Sequence, residues 1–195
     1  MKKYQIYQPK TISTKWSPDF AYAIGLLATD GCVYSDGYHM AFGSKDLEQV
    51  KNFKKCLGLN HIIGKNIAGH RKSFSYRVQF GNKVFWNFLV KIGITPAKSK
   101  TMHQICTPDK YFFDYLRGSF DGDGSFYAYL DKRWKNSFLF YVSFASASKN
   151  HVLWLQAKIY KLAGLKGHIT TSKNTSVFQL KYAKKESLLL LKKMY

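Results

Sequence analysis

Two aspartates, each followed by glycine, stand at matching places in the chain. Residues 22–31 read YAIGLLATDG and residues 115–124 read YLRGSFDGDG, so that Asp123 follows Asp30 by 93 residues. Carboxylates are preferred ligands of hard divalent cations, and two of them sharing one small space would repel unless cations lay between them. Either aspartate alone fits an ordinary Asp–Gly turn equally well. The matched pair would suit metal chemistry only if the fold brought the two acids together, which the spacing by itself does not decide.

The elements that must position these acids also repeat. Each acid ends a predicted helix, and the apolar periodicities behind it predict two strands, a helix, a further strand pair and a last helix. We therefore predict an α+β fold of two pseudo-symmetric αββαββα repeats. The predicted segments are 32–36, 38–44, 46–58, 74–80 and 83–92 in the first repeat, and 125–130, 138–146, 150–163, 177–182 and 184–194 in the second. The predicted divisions are a basic N-terminal arm (1–16), the first repeat with the start of a linker (17–100) and the second repeat (101–195).

The strands alternate between an aromatic face and a more polar face. Phe138, Phe140, Val142 and Phe144 fall on one side of their strand, and the strand at 74–80 shows the same alternation. The aromatic side predicts a core face. The polar side is either a plain solvated surface or a surface that reads nucleic acid. The predicted DNA-facing residues are Arg77, Gln79, Tyr127, Tyr129, Arg133, Tyr141, Gln179 and Lys181.

Charge favours a polyanionic partner. The chain has 31 Lys and Arg against 11 Asp and Glu, a formal net charge of +20. Nucleic acid would relieve the self-repulsion of such a chain, whereas a basic soluble protein with no such partner is the plainer alternative. Membrane association is not expected, because no apolar run reaches the roughly 20 residues of a bilayer span. Three separated cysteines support neither a disulfide framework nor a zinc ribbon, which favours a reducing intracellular compartment.

The two motifs and the elements behind them resemble LAGLIDADG homing endonucleases in their single-chain form with two motifs. The resemblance runs over nearly the whole chain, from about Pro18 onward. It implies that the motif helices pack side by side at the centre, with Gly25 and Gly118 at their contact. It also implies that the antiparallel sheets form a DNA-binding saddle along the major groove, with the acid pair over the minor groove.

The same resemblance implies the active-site roles. Asp30 and Asp123 would be catalytic and hold two or three Mg²⁺ or Mn²⁺ ions between them, with main-chain carbonyls of Thr29 and Gly122 facing the metal. Lys98 matches the family's Gly-Ile…Pro-x-Lys-Ser segment, within GITPAKSK at 93–100, and would stabilise charge on the phosphate. As the alternative, Lys98 is one of many basic residues that contact phosphate. A matching lysine of the second repeat would fall beyond Tyr195.

Two weaker candidates complete the predicted site. Ser44 and Ser148 end the second strand of each repeat and could organise water near the metals. Asp121 breaks the symmetry, because its counterpart is Ala28, and is predicted to be a secondary hydrogen-bonding residue at the helix end. No histidine has metal-like spacing to another, and each is expected at the surface or in a groove.

The predicted function is that of a monomeric, site-specific DNA endonuclease of a mobile intron. It would make a double-strand break in double-stranded DNA by metal-dependent phosphodiester hydrolysis. The alternative is a non-cleaving binder on the same fold, either a splicing cofactor that binds intron RNA or a DNA-bound regulator. Intact acids in both motifs favour the enzyme.

Overall fold

Each half of the chain folds in the predicted order αββαββα. The computed structural model describes residues 11–68, 73–131, 137–171 and 176–195. The first half comprises α1 (Pro18–Thr29), β1 (Gly31–Val33), β2 (His39–Ser44), α2 (Leu47–Leu57), β3 (Gly64–Ala68), β4 (Ser73–Gly81) and α3 (Lys83–Ile92). The second comprises α5 (Phe112–Asp123), β5 (Gly124–Leu130), β6 (Phe138–Ser146), α6 (Lys149–Ala163), β7 (His168–Thr171), β8 (Phe178–Ala183) and α7 (Lys184–Met194). A short helix, α4 (Lys98–Thr101), and a 3₁₀ turn (Asp109–Tyr111) join them.

Local side-chain chemistry sets the ends of these helices. Ser17 caps α1 by accepting a 3.1 Å hydrogen bond from the Phe20 amide, and Asp46 caps α2 by accepting 2.8 Å from the Glu48 amide. Gly58 ends α2 in the left-handed conformation that glycine adopts without steric cost. These capping signals explain why the predicted bounds of the helices fall close to the observed ones.

The first strand is shorter than predicted. It ends at Val33, and Asp36 instead forms a turn, in which its carboxylate accepts 2.9 Å hydrogen bonds from the Tyr38 and His39 amides. Asp and Asn side chains compete with strand pairing in this way. The hairpin of the first sheet is consequently much shorter than the β5–β6 hairpin of the second.

The two sheets have the same topology and register. Their strand orders are β1-β2-β4-β3 and β5-β6-β8-β7, with every pairing antiparallel. Gly31 pairs with Phe42 in the first sheet as Gly124 pairs with Phe144 in the second, which aligns the two halves residue by residue. From that alignment, Gly43 opposite Arg77 corresponds to Ala145 opposite Gln179.

The aromatic face of each sheet is buried only along part of its length. Val78, Phe80, Val142 and Phe144 are buried in the core, as the alternation predicts. Phe138, expected on the same core face, is 47% exposed, because it lies at the outer end of the long hairpin. The prediction of a continuous aromatic core face was therefore wrong at that end of the sheet.

The motif helices α1 and α5 lie side by side at the centre and are almost wholly buried at their contact. A Cβ added at Gly25 would lie 2.1 Å from the Tyr115 carbonyl oxygen, and one added at Gly118 would lie 2.1 Å from the Tyr22 carbonyl oxygen. Only glycine permits backbones to approach this closely. Among the described residues, no helix is long and apolar enough to cross a membrane.

Candidate active site and nucleic-acid surface

The close packing of α1 and α5 brings their C-terminal ends together. A Cβ added at Gly122 would lie 2.0 Å from Thr29 Oγ1 and 3.2 Å from Asp30 Oδ2, so that the two helices are in contact where the motifs end. Asp30 is the C-cap residue of α1, and Asp123 is the last residue of α5. Both acids therefore lie at one point on the pseudo-twofold axis, on the same side of the molecule.

The acids interact electrostatically. Partial desolvation by the surrounding helix ends, together with the charge of Asp123, raises the pKa of Asp30 to about 6, and Lys98 opposes this rise. Desolvation likewise raises the pKa of Asp123, again opposed by Lys98. The pair thus has negative charge that the protein compensates only in part, which is the condition that favours a bound cation.

Lys98 reaches this point from α4. It is only 7% exposed, and its Nζ donates a 2.8 Å hydrogen bond to the carbonyl oxygen of Thr29. Burial lowers the pKa of Lys98, while the charges of Asp123 and Asp30 raise it. Lys98 is thus near enough to both predicted acids to interact with their charges, although its hydrogen-bond partner is main chain.

That hydrogen bond gives the Thr29 carbonyl oxygen a donor within the protein. The resemblance implied a carbonyl facing the metal, but here it accepts the Lys98 ammonium. A carbonyl oxygen has two lone pairs, so the contact leaves one acceptor position open. Gly122, the other residue with a predicted metal-facing carbonyl, lies in the last turn of α5 against Thr29 and Asp30.

A cavity adjoins the acid pair on each side. On the Asp123 side, a cavity of about 170 Å³ is lined by Asp123 together with Lys98, Ser119 and His151. On the Asp30 side, a wider groove of about 660 Å³ has in its wall Cys32, Gly43, Ser44, Lys45, Ser75 and Arg77. The pseudo-symmetry is broken at this point, since each cavity contains a lysine from a different structural position.

The structure corrects two of the weaker sequence predictions. By register, Ser44 corresponds to Ser146, not to Ser148. Ser148 is instead the buried N-cap of α6: its hydroxyl donates to the Met102 carbonyl oxygen at 2.5 Å and accepts from the His151 amide at 3.4 Å. It therefore fixes a helix end and is not part of the wall of either cavity beside the acids.

His151, for which a position at the surface or in a groove was expected, is buried and lines the small cavity beside Asp123. It is 4% exposed, its Nδ1 lies 2.7 Å from the His103 carbonyl oxygen, and burial lowers its pKa to about 4. The ring is accordingly neutral at neutral pH. The missed signal was its position three residues after the cap Ser148, on the apolar side of α6 with Val152 and Leu155.

The face of the first sheet opposite the core carries the predicted polar residues. Arg77 forms part of the groove wall beside Asp30, and its Nη2 donates to the Tyr34 hydroxyl. Gln79, two residues along the same strand, is exposed on the same face. By register, Arg77 corresponds to Gln179 and Gln79 to Lys181, so that four of the predicted residues form two symmetry-related pairs.

The second sheet presents aromatic rings on the corresponding face. The Tyr127 ring stacks on Tyr141 at a centroid distance of 5.2 Å and on Tyr129 at 6.3 Å, and Lys181 Nζ lies 6.0 Å from the Tyr127 centroid. These four predicted residues therefore form one group, in which Tyr127 and Tyr129 are exposed and Tyr141 and Lys181 are partly buried. Arg133, the remaining predicted contact, lies outside the described residues.

The fold matches solved structures although the sequence does not match known families. No family model and no curated protein matches the chain. The homing endonuclease I-WcaI bound to its DNA recognition sequence aligns with a TM-score of 0.66 and 15% identity, over 97% of this chain and 89% of that one. The chain has the LAGLIDADG homing endonuclease fold. I-SmaMI bound to uncleaved DNA with calcium aligns at a TM-score of 0.56 and 14% identity, over 89% and 81% of the two chains.

The same fold also occurs in a protein that is not described as a nuclease. The N-terminal LAGLIDADG domain of DUF199/WhiA aligns with a TM-score of 0.58 and 11% identity, over 92% of this chain and 84% of that one. At such identities the likeness establishes the fold, and the function must be argued from the residues at the site.

The acid pair suits a hard divalent cation. Within the ranges described, no three His, Cys, Asp or Glu residues group as metal ligands. Two carboxylates with main-chain carbonyls and water nevertheless form the oxygen-rich, incomplete donor set in which Mg²⁺ retains several waters and bridges phosphates. The raised pKa of Asp30, caused in part by Asp123, is consistent with a cation between them.

Proposed function

We propose that this chain is a site-specific DNA endonuclease that hydrolyses one phosphodiester bond in each strand with the help of divalent cations. The observation that carries the proposal is the acid pair at the contact of α1 and α5, accompanied by the buried Lys98. A DNA-binding protein with this fold that does not cleave DNA would still need the close contact of the two helices. It would not need an acid at both helix ends.

The substrate is proposed to be double-stranded DNA held across the two sheet faces opposite the core. Arg77 and Gln79 on one sheet, and Gln179 and Lys181 on the other, lie at matching registers. Arg and Gln side chains make bidentate contacts with purine edges in the major groove, whereas the stacked tyrosines offer apolar contact surface. Because the paired residues differ in type, the two half-sites are expected to differ in sequence.

Asp30 and Asp123 would hold the cations, Mg²⁺ or Mn²⁺, with Gly122 and Thr29 providing nearby main-chain oxygens. Bound cations would supply activation of water and stabilisation of the leaving oxygen. Lys98 would place positive charge beside the phosphate on the Asp123 side, and Lys45, in the groove wall, would do so on the Asp30 side. Such preorganised charge stabilises the negative charge that accumulates in phosphoryl transfer.

The protein is proposed to act as a monomer, since one chain provides both acids and both sheets, and to be intracellular. The second candidate function is a DNA or intron-RNA binder without cleavage. The hydrogen bond from Lys98 to Thr29 favours it, because the lysine partly occupies the carbonyl expected to face a metal.

A cleavage test distinguishes the two candidates. Supercoiled DNA that flanks the gene, and a randomised DNA library, would be incubated with the protein in Mg²⁺, in Mn²⁺ and in chelator. The endonuclease predicts linear product at one site with metal only. Retention of a specific sequence in gel shifts, without cutting in any metal, would favour the binder.

A further inference from the structure

The side chain of Asp121 joins three helices at the end of α5. Its Oδ2 accepts a 2.8 Å hydrogen bond from the Tyr22 hydroxyl of α1, and its Oδ1 accepts another from the hydroxyl of Tyr195, which follows α7. Burial, followed by the hydrogen bond to Asp121, raises the pKa of Tyr22 above its ordinary value. Burial, followed by the hydrogen bond to Asp121, also raises the pKa of Tyr195, so both hydroxyls are protonated donors at neutral pH.

The main chain of Asp121 is held separately. The amide Nε2 of Gln49, on α2, donates a 2.6 Å hydrogen bond to the Asp121 carbonyl oxygen. Carbonyls in the last turn of a helix have no partner within the helix, so side chains from elsewhere often satisfy them. Gln49 satisfies the carbonyl of Asp121 in this way, and Asp121 lies two residues before Asp123.

Positive charge accompanies this cluster. The Arg117 guanidinium lies 4.7 Å from the centroid of the Tyr22 ring, one helical turn before Asp121 on α5. Arg117, Tyr22, Tyr195 and Asp121 together form part of the wall of a cleft of about 320 Å³, which does not include Asp30 or Asp123. Asp121 is thus next to the acid pair in sequence but faces a different part of the surface.

Among the residues that the structure describes, no equivalent cluster holds the end of α1. The counterpart of Asp121 is Ala28, which is buried. The counterpart of Gln49 is His151, which contacts the His103 carbonyl oxygen and not the end of α1. At that end, Lys98 instead contacts the Thr29 carbonyl oxygen. The two pseudo-symmetric helix ends are consequently anchored by unrelated side chains.

We propose that Asp121 is a positioning residue, which fixes the last turn of α5 so that Asp123 is aligned with Asp30 for binding a shared cation. The proposal rests on the function proposed above. Asp121 would not touch the metal or DNA. It would act by joining α1, α2 and the end of α7 to the turn that carries Asp123.

The test compares Asp121→Ala with Asp121→Asn in the full chain, using Asp114→Ala as the matched control. Asp114 lies in the first turn of the same helix, so its removal changes the net charge equally at the opposite end. Mn²⁺ binding to the free protein is measured by electron paramagnetic resonance, alongside single-turnover cleavage at saturating DNA and Mg²⁺. Thermal unfolding and DNA affinity in chelator are measured on each variant.

Asp121→Ala is expected to weaken Mn²⁺ binding and to slow cleavage about 10- to 100-fold, the range that small misplacements of reacting groups produce. Asp121→Asn keeps an acceptor oxygen for one tyrosine and should recover most of both properties. DNA affinity in chelator should not change. Asp114→Ala should match the wild type in Mn²⁺ binding and in cleavage.

Gln49→Met provides an independent variant should Asp121→Ala fail to fold. It removes only the hydrogen bond to the Asp121 carbonyl and should show the same two losses in milder form. Normal Mn²⁺ binding and cleavage in a folded Asp121→Ala, or in Gln49→Met where Asp121→Ala is unfolded, would overturn the proposal. A wild type that binds Mn²⁺ at the acids but cuts no DNA would instead contradict the proposed endonuclease and leave this inference standing.

Discussion

The Lys98 ammonium donates a 2.8 Å hydrogen bond to the carbonyl oxygen of Thr29, a residue 69 positions earlier in the chain. This contact places a buried cation against the end of α1, where the charges of Asp30 and Asp123 also act on it. The hydrogen bond thereby connects α4, in the segment after the first repeat, to the centre of the molecule. Replacing either acid or the lysine should therefore affect a shared site.

Asp30→Asn and Asp123→Asn should each slow cleavage of both strands on the order of 100-fold or more, because each would remove a carboxylate that is proposed to hold the shared cations. DNA binding in chelator should hold steady or tighten slightly, since affinity comes mainly from Lys and Arg against phosphates. Strand-labelled cleavage and gel shifts measure both properties. Cleavage at the wild-type rate by either variant would show that its aspartate is not a ligand.

Asp30→Asn should also stabilise the metal-free protein at neutral pH. A folded-state pKa of about 6, against an ordinary value of 3.8, means that the folded chain binds the proton more tightly than the unfolded chain. Stability is therefore lost as pH rises through that window, and the uncharged amide avoids the loss. After solvent screening the gain should be about 1 kcal/mol at pH 7 and should disappear near pH 4. Urea unfolding of the wild type and of Asp30→Asn at pH 7 and pH 4 gives the two free energies of unfolding. An equal difference between the proteins at both pH values would contradict the prediction.

Lys98→Met should slow cleavage on the order of 100-fold, because it removes the buried positive charge beside the phosphate. Lys100→Met, two residues later on the exposed side of α4, serves as control and should cut normally. Single-turnover rates are compared at saturating DNA, so that weaker binding does not enter. An equal decrease in both variants would indicate a general contribution to phosphate binding.

Gly25→Ala and Gly118→Ala should each destabilise the protein by about 3 kcal/mol or more, because the new methyl group would overlap a backbone carbonyl oxygen that cannot move alone. Gly64→Ala is the control: its Cβ would meet only the Arg77 carbonyl oxygen, at an ordinary 3.8 Å. Chemical unfolding gives the free energies. Losses below 1 kcal/mol at both central positions would rule out the observed approach of α1 and α5.

Arg77→Ala and Gln179→Ala should relax base discrimination at equivalent positions of opposite half-sites. The expectation follows from their matching register, and each should lose about 1–3 kcal/mol of discrimination. Cleavage of a library randomised at each position in turn locates the effect. Lys192→Ala, on the exposed side of α7, should leave the preference unchanged. Effects in the same half-site would contradict the pseudo-symmetric placement.

The sequence by itself determined the elements and their repetition. Apolar periodicity, the cap Asp46 and the terminal glycines Gly58 and Gly164 act within a few residues, so they predict where helices begin and end. The duplicated Asp–Gly motifs identified the pair of acids for the same reason. Each signal is local and does not depend on how the elements pack.

Only the tertiary structure decided which distant side chains meet. The bond from Lys98 to Thr29, the group around Asp121, the burial of His151 and the correspondence of Ser44 with Ser146 all join separate elements. Each depends on the rotation of a helix about its axis or on strand register, and a small change in either would exchange the partners. Side-chain patterns leave these variables open, and only the packing of the separate elements against one another sets them.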